Sequence, residues 1–452
     1  MACLIRGDSS CDQRSVLKKN SRLQAEKNSS ADERTDLMGT QTFNQAPPRI
    51  MHIDLNSCFA SVEQQANPLL RDKPIAVVHS DAPYGCILAP SVQAKLWGVK
   101  TGMTLQEGRD LCPWLIARVA DPDKYREVHA KLAKLLDDYS DHVIPKSIDE
   151  FMMILPSIQG SNHCMVAHEI KSHIKSEIGD YLRVSIGVST NQILAKLASG
   201  LHKPDGFDVI DSHNFMDIYD SLPLQELCGI NVRNEARLHR VGIFTVRQFY
   251  QADIQTLHSA FESVLGRYWY IYLRGYEVGA DYHSPVKSFG QSYVLPRPME
   301  IQEWRPILAK LVAKAARRLR ASGFSASSIY LALRFGDGTS WQASHKTDNF
   351  MFDDVSLLTS ALNLYYHSVG VDYHSPVKPV KKITFTCFDL ENDFGQLSCL
   401  RDLVKEKLLT ESQDKINDKW GEYTLTYGSM IGSQNHVRDA IAFDNYEPGS
   451  EM

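Results

Sequence analysis

Three carboxylates in two short stretches of this sequence have the types and spacing to bind a metal ion. Asp54 ends the apolar run R-I-M-H-I-D (49–54), and Asp149 and Glu150 stand side by side between two apolar runs within 143–155. Adjacent carboxylates repel each other and lose hydration when they are buried, so such a pair usually needs a cation. Asp54 alone would be interpreted as a turn or capping residue. Together, the three acids predict one site for a metal ion or a phosphate.

The elements that must position these acids are strands. Residues 49–54 are predicted to form a strand, and residues 143–155 a hairpin or bent strand pair with the acids at its mouth. Asn56 and Ser57 are favoured N-cap residues, so a helix is predicted to begin directly after Asp54. Strands and helices alternate over residues 48–220, which predicts one α/β or α+β unit around the acids.

Length and composition limit the classes of protein that remain. The chain has 452 residues, too many for a single core, which predicts about two to four domains. The net charge of −5 gives no global sign of nucleic-acid binding, so any basic surface must be local. Nine scattered cysteines without a C-x-x-C pair disfavour structural zinc and predict a reducing, cytoplasmic location. No apolar run could cross a membrane and no secretory signal is evident, so we expect no membrane partner.

A helical segment in the second half could contact nucleic acid. Residues 225–249 read as two short helices around glycine-containing turns, with Arg233, Arg237 and Arg240 nearby. A helix–hairpin–helix presents backbone N–H groups to a phosphate, whereas a plain α-hairpin does not, and this segment alone fits both.

The region from residue 286 to 390 is locally basic. It contains 13 Lys and Arg residues against 8 Asp and Glu residues. Its predicted helix at 304–320 carries the cations Lys310, Lys314, Arg317, Arg318 and Arg320. The excess suits contact with a phosphate backbone, and a solvated basic helix face is the alternative.

Two further features have no assigned role. Residues 1–45 are polar, with seven Lys or Arg and six Asp or Glu, and predict a disordered leader over 1–47. The heptapeptide D-Y-H-S-P-V-K occurs at 281–287 and again at 372–378 without a longer repeat around it. We have no physical account of this duplication.

Several motifs stand in one order along the chain. They are M-H-I-D-L-N-S-C-F-A-S-V-E, G-V-K-T-G-M, S-I-D-E, S-I-G-V-S-T-N-Q-I-L-A-K-L-A-S, K-P-D-G and K-S-F-G-Q-S. Over residues 49–430 this series resembles the Y-family translesion DNA polymerases of the bacterial DinB/UmuC superfamily. Asn56 gives the first motif a UmuC-like feature.

The resemblance implies an α+β multidomain fold shaped as a right hand. It places a palm at 48–70 and 119–220, small fingers at 71–118, and a helix–hairpin–helix thumb at 221–285. A DNA-binding little finger would occupy 286–392, and 393–452 would be a C-terminal tail.

The resemblance also implies roles for the acids. Asp54 and Asp149 look like the aspartates that bind both metal ions, and Glu150 like the acid beside the ion at the primer 3′-OH. Leu55 would contribute its backbone carbonyl. Two Mg²⁺ ions are the expected cofactors, because hard cations prefer such oxygen ligands and activate phosphoryl transfer.

The nucleotide would be held by further residues. Phe59, five positions after Asp54, resembles the steric gate that excludes a 2′-OH, with a core Phe as the alternative. Lys203, Lys95 and Lys196 are the predicted triphosphate-binding lysines, although Lys196 also fits a surface lysine.

The sequence departs from the family pattern at several positions. The usual Y-x-A-R pair of the fingers is replaced by Val92 and Lys95, which removes a hydroxyl donor and the bidentate guanidinium fork. Ile154 stands where the family usually has an Asp, and Asn231 changes the thumb motif G-I-G to G-I-N.

A short peptide near the end resembles a bacterial clamp-binding motif. In Q-L-S-C-L (396–400), Gln396 and Leu397 fit the motif, and Leu400 replaces its aromatic residue. A sliding clamp is therefore an expected partner.

The resemblance implies an error-prone, template-directed DNA polymerase without proofreading that acts in damage bypass and the SOS response. Its partners would be primer–template DNA, dNTP, the clamp and possible accessory subunits. One alternative is a catalytically silent DNA-binding scaffold of the same fold, because Val92 and Lys95 are altered. Another is a palm-type enzyme that works without a template. The predicted helix–hairpin–helix and the basic region after residue 286 argue against it, because such an enzyme has no duplex to hold.

Overall fold

The first described strand, β1 (Ile50–Leu55), is buried along its whole length and carries Asp54 near its end. The computed structural model describes residues 42–156, 163–278, 286–369, 378–392, 403–434 and 436–437. Helix α1 (Cys58–Ala66) follows β1 after a tight turn in which Ser57 has a φ of 48°. The β1–α1 unit therefore places the end of a buried strand beside the start of a helix.

A small unit with its own core follows. It contains β2 (Ile75–Val78), β3 (Ile87–Pro90), α2 (Val92–Leu96), α3 (Leu105–Leu111) and β4 (Ile116–Val119). The strands form a sheet in the order β3-β2-β4. Ser91 caps α2, because its Oγ accepts from the Ala94 N–H at 3.2 Å. The cap fixes the start of the helix that carries Val92 and Lys95.

The chain then completes the sheet around β1. The added elements are α4 (Pro122–Leu136), β5 (Val143–Pro145), β6 (Glu150–Ile154), α5 (His163–His173), β7 (Val184–Ser189), α6 (Gln192–Leu201) and β8 (Phe207–Val209). The strand order is β5-β6-β1-β7-β8. Strand β1 lies in the centre and pairs antiparallel with β6 and β7. A large apolar core that includes Met51, Phe59 and Tyr125 fixes this register.

An all-helical unit packs against α6. It contains α7 (Phe215–Ser221), α8 (Val232–Arg240), α9 (Val246–Gln251), α10 (Ile254–Phe261) and α11 (Leu265–Tyr272). Leu194 and Leu197 of α6 belong to its core. Asn191, the N-cap of α6, also donates to the Tyr272 carbonyl at 2.8 Å. The sheet and the helices therefore share both a core and hydrogen bonds.

The last unit is a four-stranded antiparallel sheet covered by helices. Its elements are β9 (Ser288–Met299), α12 (Ile301–Ala321), β10 (Ser325–Phe335), β11 (Ser340–Met351), α13 (Asp354–Val369), β12 (Val380–Glu391) and α14 (Leu403–Trp420). The strand order is β11-β10-β12-β9. Helices α12 and α13 bury one face of the sheet, where Ile329, Leu331 and Leu333 join the core.

Two of the predicted cations of the basic helix α12 are paired with acids of the chain itself. Arg320 bonds Asp414 at 2.7 Å and Asp354 at 2.7 Å. Arg317 pairs with Asp418, also on α14, and with Glu422. The segment interpreted as a tail thus contains a helix of 18 residues that forms ion pairs with two arginines of α12.

The rest of the fold agrees with an α+β chain of several cores. Within the residues described, no helix combines the length and apolarity required to span a membrane.

Candidate active site

The register of the sheet brings the three predicted acids together at one end of the neighbouring strands β1 and β6. Asp54 lies directly opposite Glu150 in the β1–β6 pair. The N–H of Leu55 donates to the Asp149 carbonyl at 2.9 Å, which places Asp149 next to the end of β1. Burial raises the pKa of Asp149, and the charges of Asp54 and Glu150 raise it further, against the hydroxyl of Ser147. The three carboxylates therefore interact as one anionic group.

Two lysines bind two of these acids. Lys203 Nζ lies 2.6 Å from Asp54 Oδ2, and Lys196 Nζ lies 2.6 Å from Glu150 Oε2. Burial acts to raise the pKa of Glu150, but the nearby imidazole of His52 and the hydrogen-bonded ammonium of Lys196 lower it to about 2. Burial likewise acts to lower the pKa of Lys196, whereas Glu150 raises it above its ordinary value. Glu150 is thus held as a carboxylate and Lys196 as an ammonium.

Asn56 has a different role from the predicted helix cap. Helix α1 begins at Cys58, and neither Asn56 nor Ser57 caps it through a side chain. Asn56 Oδ1 instead accepts from the Asp205 N–H at 2.7 Å, and its Nδ2 donates to Ser185 Oγ at 3.0 Å. These bonds tie the loop after α6 to β1 and β7, so Asn56 fixes the loop that carries Lys203.

A cavity of about 460 Å³ opens over the end of β1. Its lining includes the predicted residues Asp54, Leu55, Phe59, Lys95, Asp149 and Lys203, together with Val92 and Leu96 of α2. Burial and the charge of Lys203 lower the pKa of Lys95. A cavity with carboxylates at its base and two lysines at its wall can hold a polyphosphate that carries a cation.

Phe59 lines this cavity, and its side chain is fully buried. Its ring stacks on Tyr125, with centroids 4.3 Å apart and planes inclined by 12°. The Tyr125 hydroxyl donates to Glu63 Oε1 at 3.1 Å, which fixes the tyrosine ring. Phe59 is therefore both a core residue and a wall of the cavity, and its position depends on Tyr125.

A second cavity of about 480 Å³ shares Asp54 and Lys203 with the first. It is lined by Asp54, Glu150, Lys196 and Lys203 from the sheet unit and by Glu226 and Cys228 from the helical unit. The carboxylates thus line two neighbouring cavities, and each could hold one of two reacting molecules.

The metal site follows from donor chemistry rather than from a ready-made cage. Among the described residues, no group of three or more His, Cys, Asp or Glu side chains is close enough to hold a metal ion. Asp54 and Glu150 bond to lysines instead. The donors that meet here are nevertheless all hard oxygens, and their mutual repulsion at Asp149 is what a divalent cation would relieve. The residues fit Mg²⁺ once the lysines release the acids.

Some predicted features fall outside the described residues. These are the clamp-like residues Gln396, Leu397 and Leu400, and most of both D-Y-H-S-P-V-K copies.

Sequence reasoning missed His52, Tyr125 and Ser185. His52 is buried, and its Nε2 lies 3.6 Å from Glu150 Oε2. The period of two along β1 could have revealed it, because His52 and Asp54 must point to the same face. Tyr125 and Ser185 had no comparable signal, since their contacts join distant parts of the chain.

Comparisons with known proteins agree with this geometry. A model of the impB/mucB/samB family matches residues 53–200, and a model of that family's C-terminal domain matches 286–399. A DNA polymerase IV from Pelotomaculum thermopropionicum is 31% identical over 392 residues, covering 83% of this chain and 94% of that protein. The chain belongs to the Y family of DNA polymerases. It is a DinB-type member and a DNA-directed DNA polymerase.

Further relatives and solved structures support this membership. DNA polymerase IV from Moorella thermoacetica is 34% identical over 311 residues, or 66% of this chain and 77% of that protein. A Y-family DNA polymerase chimera superposes with a TM-score of 0.65 at 21% identity, covering 76% of this chain and 99% of its own. A likeness at this identity shows the fold alone, and the predicted α+β multidomain polymerase architecture is confirmed.

Proposed function

We propose that this Y-family polymerase is an error-prone translesion enzyme that adds dNTPs to a primer 3′-OH in damage bypass, without proofreading. The observation that carries the proposal is the group of three carboxylates that line two neighbouring cavities, with Lys95 at the first cavity and Lys203 at both. Two Mg²⁺ ions, when bound, would polarise the α-phosphate, activate the 3′-OH and stabilise the leaving pyrophosphate.

The three acids have different proposed roles in binding these cations. Asp54 and Asp149 are the proposed ligands of both ions, with the Leu55 carbonyl as an additional oxygen. Glu150 borders the second cavity, on the side of the helical unit, so it is placed to serve a primer end there.

The first cavity is the proposed dNTP site. Lys203 and Lys95 would bind the triphosphate, because both line the cavity and both are cations. Lys196 also borders the acids, but it lines only the second cavity and is committed to Glu150. Phe59 would lie against the sugar and exclude a 2′-OH.

DNA contact is assigned to the exposed face of the last sheet. Arg334 and Lys382 are direct cross-strand neighbours of the β10–β12 pair, on the face opposite the helices. Like charges in this position repel, and a polyanion relieves the repulsion. We therefore propose this face, rather than α12, as the phosphate-binding surface of the unit.

A sliding clamp, bound through 396–400, and accessory subunits are further proposed partners. A cytoplasmic location and induction in the SOS response belong to the same proposal. Deleting 396–400 should reduce clamp-stimulated synthesis and leave distributive synthesis unchanged. An equal clamp response in both proteins would reject the motif.

Primer extension on undamaged and abasic templates, by the chain alone with Mg²⁺, tests the main proposal. Extension on both templates is expected. A chain that binds primer–template but extends neither would instead be the silent scaffold, the second candidate that the substitution of Val92 and Lys95 for the family's pair favours.

A further inference from the structure

The loop that carries Lys203 is bonded to a lysine of another helix. This loop connects α6, which ends at Leu201, with β8, which begins at Phe207. Lys171 lies near the C-terminal end of α5, and its side chain is only 18% exposed. A lysine that is this far removed from water must place its ammonium on protein oxygens, and the loop supplies them.

All three donors of the Lys171 ammonium can be used on two successive residues of the loop. Its Nζ lies 2.5 Å from the Asp205 carbonyl oxygen and 3.0 Å from the Gly206 carbonyl oxygen. Asp205 Oδ1 is the third partner, at 3.1 Å. A lysine ammonium has three N–H donors and no acceptor, so these three oxygens satisfy it completely. Lys171 is therefore committed to the loop.

The backbone of the loop turns tightly around Lys203. Asp205 has a φ of 61°, in the left-handed region that residues with a side chain disfavour. A Cβ at Gly206 would lie 2.2 Å from the His202 carbonyl oxygen. The chain thus returns to the end of α6 within four residues, and Lys203 lies inside this turn. A change in the turn would displace the backbone from which the Lys203 side chain starts.

The sheet binds the same two residues from their other side. Asn56 Oδ1 accepts from the Asp205 N–H at 2.7 Å, and Ser185 Oγ accepts from the Gly206 N–H at 3.3 Å. The sheet therefore binds the N–H donors of these residues, whereas Lys171 binds their carbonyl oxygens. Hydrogen bonds to both kinds of backbone group hold the loop in one conformation.

The proposed function requires the side chain of Lys203 to move while its backbone stays in place. Lys203 Nζ bonds Asp54 Oδ2 at 2.6 Å, and it must leave this carboxylate to bind a phosphate. A fixed loop confines that movement to the rotatable bonds of the side chain. A loop that could shift would lose part of the phosphate contact, because the ammonium would no longer start from one position.

We propose that Lys171 is a positioning residue for Lys203. By binding the carbonyl oxygens of Asp205 and Gly206, it fixes the backbone from which Lys203 reaches the triphosphate of the incoming dNTP. The inference rests on the proposed function, in which Lys203 is a triphosphate ligand. It adds a residue that lines neither of the two cavities and acts through the loop.

The test measures the Kd of the complementary dNTP for the complex with Mg²⁺ and a dideoxy-terminated primer–template, in a double-mutant cycle. Lys171→Met removes the ammonium at a similar length and should raise this Kd by about 3-fold or more. In the Lys203→Met background the same change should leave the Kd unaltered, because the lysine that it positions is absent. The affinity for primer–template should stay the same in all four proteins, which a general loss of structure would not allow.

Lys171→Gln keeps N–H donors on a shorter, uncharged side chain and should raise the Kd by a smaller factor. It provides the same cycle if Lys171→Met does not fold. Lys131→Met is the matched control, because Lys131 pairs with Glu127 of its own helix, and it should not change the Kd.

The outcomes separate this inference from the proposed function. An equal rise in both backgrounds, or no rise in the original one, would overturn the positioning role of Lys171. An unchanged Kd in Lys203→Met alone would remove Lys203 from the triphosphate site, and the inference with it. Failure of the unaltered protein to bind dNTP in this complex would overturn the proposed function itself.

Discussion

Lys203 donates to Asp54 across 2.6 Å, so the lysine proposed to bind the triphosphate is bonded to a carboxylate proposed to bind metal. A nucleotide that takes Lys203 onto its phosphates must release Asp54 at the same moment. Binding of the triphosphate to Lys203 would therefore free Asp54 to bind a metal ion.

Lys203→Met separates these two effects. Loss of the cation should raise the KM for dNTP by about 10-fold or more, because a charge-assisted phosphate contact is lost. Asp54 should bind Mn²⁺ more tightly when no nucleotide is present, because its competing partner is gone. Steady-state kinetics and Mn²⁺ titration without dNTP measure the two changes. Weaker Mn²⁺ binding by the variant would contradict the exchange.

Asp149→Asn should remove extension and retain DNA binding. The amide keeps the shape of the side chain but cannot bridge two cations, so kcat should fall by at least about 10³-fold. Single-turnover extension and fluorescence anisotropy measure the two properties. Asp123→Asn, at an acid that is 91% exposed, is the control and should extend normally. Near-normal extension by the Asp149 variant would remove it from the metal site.

Phe59→Ala should allow ribonucleotides to enter. Its ring forms part of the cavity base, and its removal leaves room for a 2′-OH. Tyr125→Leu should have a smaller effect of the same kind, because Phe59 loses the ring on which it stacks. The ratio of kcat/KM for dNTP to that for rNTP is the measurement. Unchanged sugar selectivity in Phe59→Ala would exclude it as the gate.

The lowered pKa of Lys95 predicts a dependence on alkaline pH. A lysine is charged below its pKa and loses the charge as pH rises through it, and here burial and Lys203 bring that loss to lower pH. The KM for dNTP should therefore begin to rise at a lower pH than an ordinary lysine would cause. Lys95→Arg should flatten the rise, because a guanidinium stays charged. Identical profiles for the two proteins would exclude Lys95 from phosphate contact. Lys131→Arg, at an exposed position of α4, is the control.

The reassigned DNA surface can be tested by salt dependence. Arg334→Ala and Lys382→Ala should each weaken duplex binding and reduce the slope of log K against log salt by about one. Arg317→Ala should leave the slope unchanged, because its guanidinium pairs with Asp418 and Glu422. The reverse pattern would return the phosphate contact to α12.

The acids could be predicted from sequence because their positions follow from local rules. Asp54 ends an apolar run, and Asp149 and Glu150 interrupt one. Strand geometry alone therefore places these acids at the ends of strands. The pairing of Asp54 with Glu150 is a contact between residues far apart in sequence, and no local pattern determines it. Resemblance to a family supplied that step.

The errors arose where tertiary contacts overrode a local preference. Asn56 is a favoured N-cap residue. Its side chain instead accepts from the Asp205 N–H and donates to Ser185 Oγ, so it does not cap the helix. Helix α14 was missed because it lacks a strong apolar stripe, and its ion pairs with α12 support it instead. Strand β11 was missed because most of its side chains are polar or exposed, as is typical of an edge strand.

The pairing of α12 with α14 also sets an order of events during synthesis. Arg320 meets Asp414 across 94 residues, and Arg317 meets Asp418 across 101 residues. Domains fold from the N-terminus as the chain emerges, so the last sheet can form while α12 still lacks these partners. Until α14 is made, Arg317 and Arg320 of α12 would lack Asp418 and Asp414 as partners. A chain truncated after β12 would leave both guanidinium groups without these carboxylates, so it should bind polyanions more strongly than a chain that includes α14.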